Sequence, residues 1–113
     1  MFKIEAIIRP DRLEAVREAL EEIDLIGMTV SDCRGTGRQR AVTHTFRGSQ
    51  YGSSYNPRVR LEIAVLEVHL NSAVEAIQTA ANTGEVGDGK ILVTELHQVV
   101  NIRTNERGES ALS

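Results

Sequence analysis

The chain has 113 residues, 41% hydrophobic and 26% charged, which suits one compact domain over 1–113 and excludes a low-complexity or purely disordered sequence. Its formal net charge of -3 and lack of tryptophan argue against a nucleic-acid partner, which calls for a basic excess or a stacking platform. No apolar run is long enough to cross a bilayer, and the N-terminus does not read as a signal peptide, so the expectation is a cytoplasmic protein without membrane insertion. Phe2, Ile4, Ala6 and Ile8 alternate with polar residues at the period of a strand, which Pro10 stops. Asp11 with Glu14 offers a capping box, and Leu13, Val16, Leu20 and Ile23 follow at helical spacing. Gly27 marks a turn, and Met28 to Arg34 reads as a second strand. The lone Cys33 excludes an intrachain disulfide and fits a reducing compartment.

From Gly35 to Asn56 the apolar period is lost in the polar stretch GTGRQRAVTHTFRGSQYGSSYN. A loop of this length within a small domain is usually functional or disordered. Regularity returns at Val59, Leu61, Ile63 and Val65, a clear strand. Ser72 with Glu75 offers another capping box, and Leu70, Ala73, Val74, Ile77 and Ala81 form a second helical stripe closed by Thr83-Gly84. Ile91 to Leu96 is a fourth strand, Val99 to Ile102 a short extra one, and the polar residues 104–113 read as a loose tail. The order β-α-β-loop-β-α-β is the α+β, ferredoxin-like split βαβ plan, an antiparallel sheet with both helices on one face. The bare face then needs a cover, and the sheet of a neighbouring subunit supplies one.

Thr83 to Lys90, TGEVGDGK, carries the chemical signal. Gly84, four residues, then Gly89-Lys90 has phosphate-loop spacing: glycines let backbone N–H groups converge on an anion, and lysine adds charge. Ile91 stands where a phosphate-loop NTPase needs Ser or Thr, and the loop leaves a helix to enter a strand, the reverse of that context. Phosphate binding therefore survives without the NTPase reading. Gly35, Gly37, Arg38, Gln39 and Arg40 form a second cluster suited to phosphate or carboxylate, with Arg58, Arg60 and Arg103 as further cations. His44, His69, His97 and Cys33 share no metal-ligand spacing, and no serine sits in a nucleophile elbow.

FKIEAIIRPDRLEAVREAL, GMTVSDCRGTGRQR, FRGSQY, RVRLEIAV, TGEVGDGKILV and NIRT together resemble the PII signal-transduction family, from Met1 to about Thr104. The resemblance implies a homotrimer with three intersubunit clefts in which ATP and ADP compete. By that likeness Thr29, Gly35, Gly37, Arg38, Gln39, Gly87, Asp88, Gly89, Lys90 and Arg103 would bind nucleotide. Gln39 would ligate magnesium together with ATP and 2-oxoglutarate, and Arg40, Ala41 and Arg58 would join it around 2-oxoglutarate. The arm 37–56 would engage targets such as an ammonium channel or a nitrogen-metabolism enzyme, with Tyr51 where many members are uridylylated. Such a protein is a regulator, not an enzyme, with at most slow incidental ATP hydrolysis. The chain departs from the family's usual residues at Asn101 (arginine), Arg58 (lysine), Ala41 (glycine), Thr36 (phenylalanine) and Leu66 (proline). Asn101, Ala41 and Arg58 among them frame an alternative, an adenylate or small-anion sensor that does not bind 2-oxoglutarate.

Overall fold

A computed structural model gives the fold. It describes residues 1–37, 43–46, 49–52 and 55–112, the two short stretches by their strand pairing. Six strands are described: β1 Phe2–Ile8, β2 Thr29–Gly35, β3 Thr43–Phe46, β4 Ser49–Gly52, β5 Asn56–Val65 and β6 Gly89–Glu95. The helices are α1 Leu13–Glu22 and α2 Glu67–Ala81. β2, β5, β1 and β6 form one four-stranded sheet in that order, antiparallel throughout. This is the expected ferredoxin-like α+β arrangement. β1 is central because both its edges are paired: Ile4 faces Ile63 on one side and Val93 on the other.

Alternation decides which face is buried. Ile4, Ala6 and Ile8 of β1 and Val59, Leu61, Ile63 and Val65 of β5 point toward the helices and are buried. They meet Val16 and Leu20 of α1 and Ala73, Ile77 and Ala81 of α2. The stripes read from the sequence thus supply the core, although Ile23 ends 37% exposed, beyond the end of α1. The opposite face carries Lys3 and Glu5 with Arg60 and Glu62. Their charges lie 3.8–3.9 Å apart in three ion pairs, Lys3–Glu62, Arg60–Glu5 and Arg60–Glu62. Among the described residues neither α1 nor α2 covers that face: paired residues share a side, and the helix-facing set is the other one.

Several local expectations fail for local reasons. Asp11 and Glu14 form no capping box: Pro10 opens a 3-10 turn over Pro10–Arg12, and α1 starts after Arg12 without a side-chain cap. Ser72 lies inside α2, which begins at Glu67, and its hydroxyl donates to the carbonyl of His69. α2 stops at Asn82, whose backbone is extended, so Gly84 lies in the following loop and is not the helix cap. The long segment contains a hairpin, β3 with β4, whose polar side chains hide the strand period. Its boundary also moves, because Asn56 is already in β5 and buried.

The segment after Arg103 has defined structure where a loose tail was expected. Val100 bridges to Arg107 in place of an extra strand, and a 3-10 helix spans Gly108–Leu112. Asn101 organises this turn. Its side-chain oxygen accepts the N–H groups of Arg103 and Thr104 at 3.0 and 3.2 Å, and its own N–H donates to Glu106 at 2.9 Å.

Candidate functional site

The strand directions put four chain segments at one end of the sheet. β1 and β2 finish there, and β5 and β6 begin there. Between them lies a cavity of about 450 Å³ lined by Thr36, Gly37, Arg58, Val86, Gly87, Gly89 and Lys90. The glycine loop and the base of the arm, 50 positions apart in the chain at Gly37 and Gly87, therefore share one concavity.

The loop 82–90 owes its form to glycine. Gly84, Gly87 and Gly89 have φ of 83°, 103° and 101°, a region that L-residues avoid. At Gly89 the demand is steric as well, since the loop returns against the backbone of β1 at Ile7. Side chains then fix the loop. The Asp88 carboxylate accepts the Thr83 hydroxyl, the Thr83 N–H at 2.8 Å and the Gly84 N–H at 3.0 Å. It also accepts the Arg9 Nε at 3.0 Å. The Arg9 Nη2 donates to the carbonyl of Val86 at 2.8 Å, and the Gly84 N–H donates to Asn82 Oδ1 at 2.7 Å. The Thr83 hydroxyl and N–H, with Arg9 and Gly84, hold the Asp88 carboxyl well below the usual carboxylate range.

Asp88 thus faces the loop's own donors. Its carboxylate is turned to Thr83, Gly84 and Arg9, and a ligand at this position would meet backbone. Gly87, Gly89 and the exposed Lys90 line the cavity as the sequence suggests, with Gly37 and Arg58 beside them. Gly35 ends β2, with the Arg58 Cγ 3.5 Å from where its Cβ would stand. Arg38, Gln39, Arg40 and Ala41 lie outside the described residues. Tyr51 pairs with His44 in the β3–β4 hairpin.

Two expected site residues are not brought to this cavity. Thr29 begins β2 and pairs with Glu62, at the other end of that strand from Gly35. It borders a separate cavity with Lys3, Gly27, Met28, Glu62, Ile63, Ala64 and Leu96. Arg103 lies in the turn after β6, a strand that runs roughly 20 Å away from Gly89 at strand rise, and it does not line the cavity. Arg9 and Thr83 are the residues that sequence reasoning missed. Arg9 looked like the polar member of an alternating strand, and nothing local links it to Asp88. Among the described residues no cluster of His, Cys, Asp and Glu is arranged to hold a metal ion. No helix is long and apolar enough to cross a membrane, also among the described residues.

Comparison with known proteins identifies the family of the chain. A family model described as nitrogen regulatory protein P-II matches residues 1–106. The chain is 46% identical over 112 residues to the nitrogen regulatory protein P-II of Azospirillum brasilense, covering 99% of this chain and 100% of that one. It is 49% identical over 112 residues to nitrogen regulatory protein P-II 1 of Methanothermobacter thermautotrophicus, covering 99% and 97%. These names describe regulators, not enzymes. With matches of this extent, the chain belongs to the nitrogen regulatory protein P-II family.

Proposed function

We propose that this regulator senses adenine nucleotides in a cleft whose phosphate-binding wall is the 82–90 loop. The observation that carries the reading is the cavity lined by Gly87, Gly89, Lys90, Gly37 and Arg58. It combines glycine backbone at positive φ with an exposed lysine and an arginine, a donor set suited to a polyphosphate. The two acidic side chains in the loop do not oppose this, because Glu85 is not among the residues that line the cavity and Asp88 is paired with Arg9 and bonded to Thr83 and Gly84. ATP and ADP fit such a wall.

The position of Thr29 and Arg103 supports a trimer. Both belong to the site expected from the family likeness, yet neither lines the cavity with Lys90: Thr29 lies on β2, at the opposite edge of the sheet from β6, and Arg103 lies in the turn that follows β6. A neighbouring subunit that presents its own Thr29 edge and C-terminal turn would complete the cleft. The sheet face carrying Lys3, Glu5, Arg60 and Glu62 also suits a cover from other subunits. There the Arg60 Nε is shielded from solvent without a hydrogen-bond partner among the described residues, a condition that a neighbouring acceptor would relieve.

In this reading the base of the arm 37–56 touches the ligand, and its tip meets targets such as an ammonium channel or a nitrogen-metabolism enzyme. Mg-ATP with 2-oxoglutarate would favour one arm state and ADP another, through their different affinities for the two. Tyr51, in the arm hairpin, is the candidate for covalent modification. A second reading, adenylate sensing without 2-oxoglutarate, is favoured by Arg58 at the cavity and by Asn101, whose side chain is engaged in the C-terminal turn. Isothermal calorimetry with Mg-ATP, repeated in 2-oxoglutarate, tests both. Binding of 2-oxoglutarate only with Mg-ATP supports the first. Nucleotide binding that 2-oxoglutarate leaves unchanged supports the second, and no nucleotide binding overturns both.

A further inference from the structure

We propose that Arg9 is a positioning residue for the glycine loop, a clasp that ties Val86 and Asp88 to the end of β1 and so holds Gly87 and Lys90 ready for a polyphosphate. This inference rests on the nucleotide reading above. It begins from the way one guanidinium touches two points of the loop, the Val86 carbonyl at 2.8 Å and the Asp88 carboxylate at 3.0 Å. The two contacts flank Gly87, whose φ of 103° leaves its backbone without an intrinsic preference for this shape. A glycine between two fixed neighbours loses that freedom before a ligand arrives, which spares the ligand the ordering cost.

The clasp also settles the loop's charge. Asp88 is two residues from Lys90, and its carboxylate, left unpaired, would repel phosphate and compete for the lysine. Arg9 supplies the compensating cation from another element, 79 positions away. An exposed salt bridge would be worth little. This pair is mostly shielded, with side-chain exposures of 20% and 23%, and its guanidinium geometry cannot be reproduced by an ammonium point charge. The remaining Asp88 contacts, to Thr83 and Gly84, close the loop on itself, whereas Arg9 fastens its middle, at Val86 and Asp88, to the end of β1, ahead of the ladder that begins at Gly89 and Lys90.

The test is calorimetric affinity for Mg-ATP in the full chain, for the unaltered protein and for Arg9→Met, Arg9→Lys, Asp88→Asn and the Arg9→Met/Asp88→Asn double variant, with melting followed on the same samples. Arg9→Met is expected to weaken binding about tenfold or more. Arg9→Lys should recover part of that loss, because it neutralises Asp88 but cannot also hold Val86. The double variant should bind no more weakly than the weaker single one, since the two residues act as a unit. If Arg9→Met does not fold, Asp88→Asn and Arg9→Lys still report on the clasp by the same criterion. Unaltered affinity in these variants, or losses that multiply in the double variant, would overturn the positioning role while leaving the nucleotide reading intact. Absence of nucleotide binding in the unaltered protein would overturn both.

Discussion

Gly89 stands against the carbonyl oxygen of Ile7: the Cβ of any other residue there would lie 1.7 Å from that oxygen and 2.8 Å from its carbon. Neither atom can yield, because both belong to the central strand. Gly89 also has a φ of 101°. Gly89→Ala is therefore expected to cost about 3 kcal/mol or more, either unfolding the chain or prising β6 from β1 at that end. Gly84 makes the comparison, since its φ is 83° but nothing lies within 4 Å of its Cβ position. Gly84→Ala should cost only about 1–2 kcal/mol. Thermal melts of the two variants side by side check the contrast, and equal losses would contradict it.

Acid should weaken the loop through Asp88. Its folded-state pKa is depressed by Thr83, Arg9 and Gly84, so its contribution to stability is fully present above the ordinary carboxylate pKa. That contribution fades progressively as pH falls from the ordinary carboxylate pKa and is lost below the lower folded value. The stability difference between the native chain and Asp88→Asn should stay constant from neutrality to about pH 5 and narrow below about pH 4. Denaturant midpoints across this range would reveal it, and a difference that widens on acidification would refute the assignment.

Lys90 is exposed and lines the cavity, so removing it should damage binding without damaging the fold. Lys90→Ala is expected to weaken Mg-ATP affinity by about tenfold or more, the scale of a lost charge-assisted contact, with a melting temperature within a degree or two of the parent. Calorimetry and a melt on the same preparation separate the two effects.

The charged sheet face predicts assembly. Arg60 lies between Glu5 and Glu62. Arg60→Glu would gather three carboxylates on that face. Sedimentation should find a trimer for the parent and smaller species for the variant, with dissociation more pronounced at low salt, where repulsion is less screened. A parent that sediments as a monomer would remove the trimeric cleft from the proposal.

The core and its elements were legible in the sequence because they depend on short periods. Ile4, Ala6 and Ile8 at every second position, and Val16 and Leu20 a turn apart, declare which side is inside before any neighbour is known. The glycine loop was legible for a similar reason, since its phosphate-loop spacing is local. Capping boxes at Asp11 and Ser72 were misread because the same letters serve a 3-10 turn after Pro10 and a helix interior after Glu67. The β3–β4 hairpin was hidden by polar residues on both faces. The Arg9 clasp had no local signal, because it joins the end of the first strand to a loop entered only after the second helix. Asp88 was legible as part of the loop but not in its role, which is to accept the loop's own donors.

β3 and β4 pair with each other and share no strand with the four-stranded sheet. The hairpin and the four-stranded sheet are consequently separate hydrogen-bonded units. Substitutions in the hairpin need not disturb a rung of the ladder beside the glycine loop, and a change in that loop need not alter the pairing of the hairpin. On the proposed function, recognition of a target and binding of a ligand could then be altered independently.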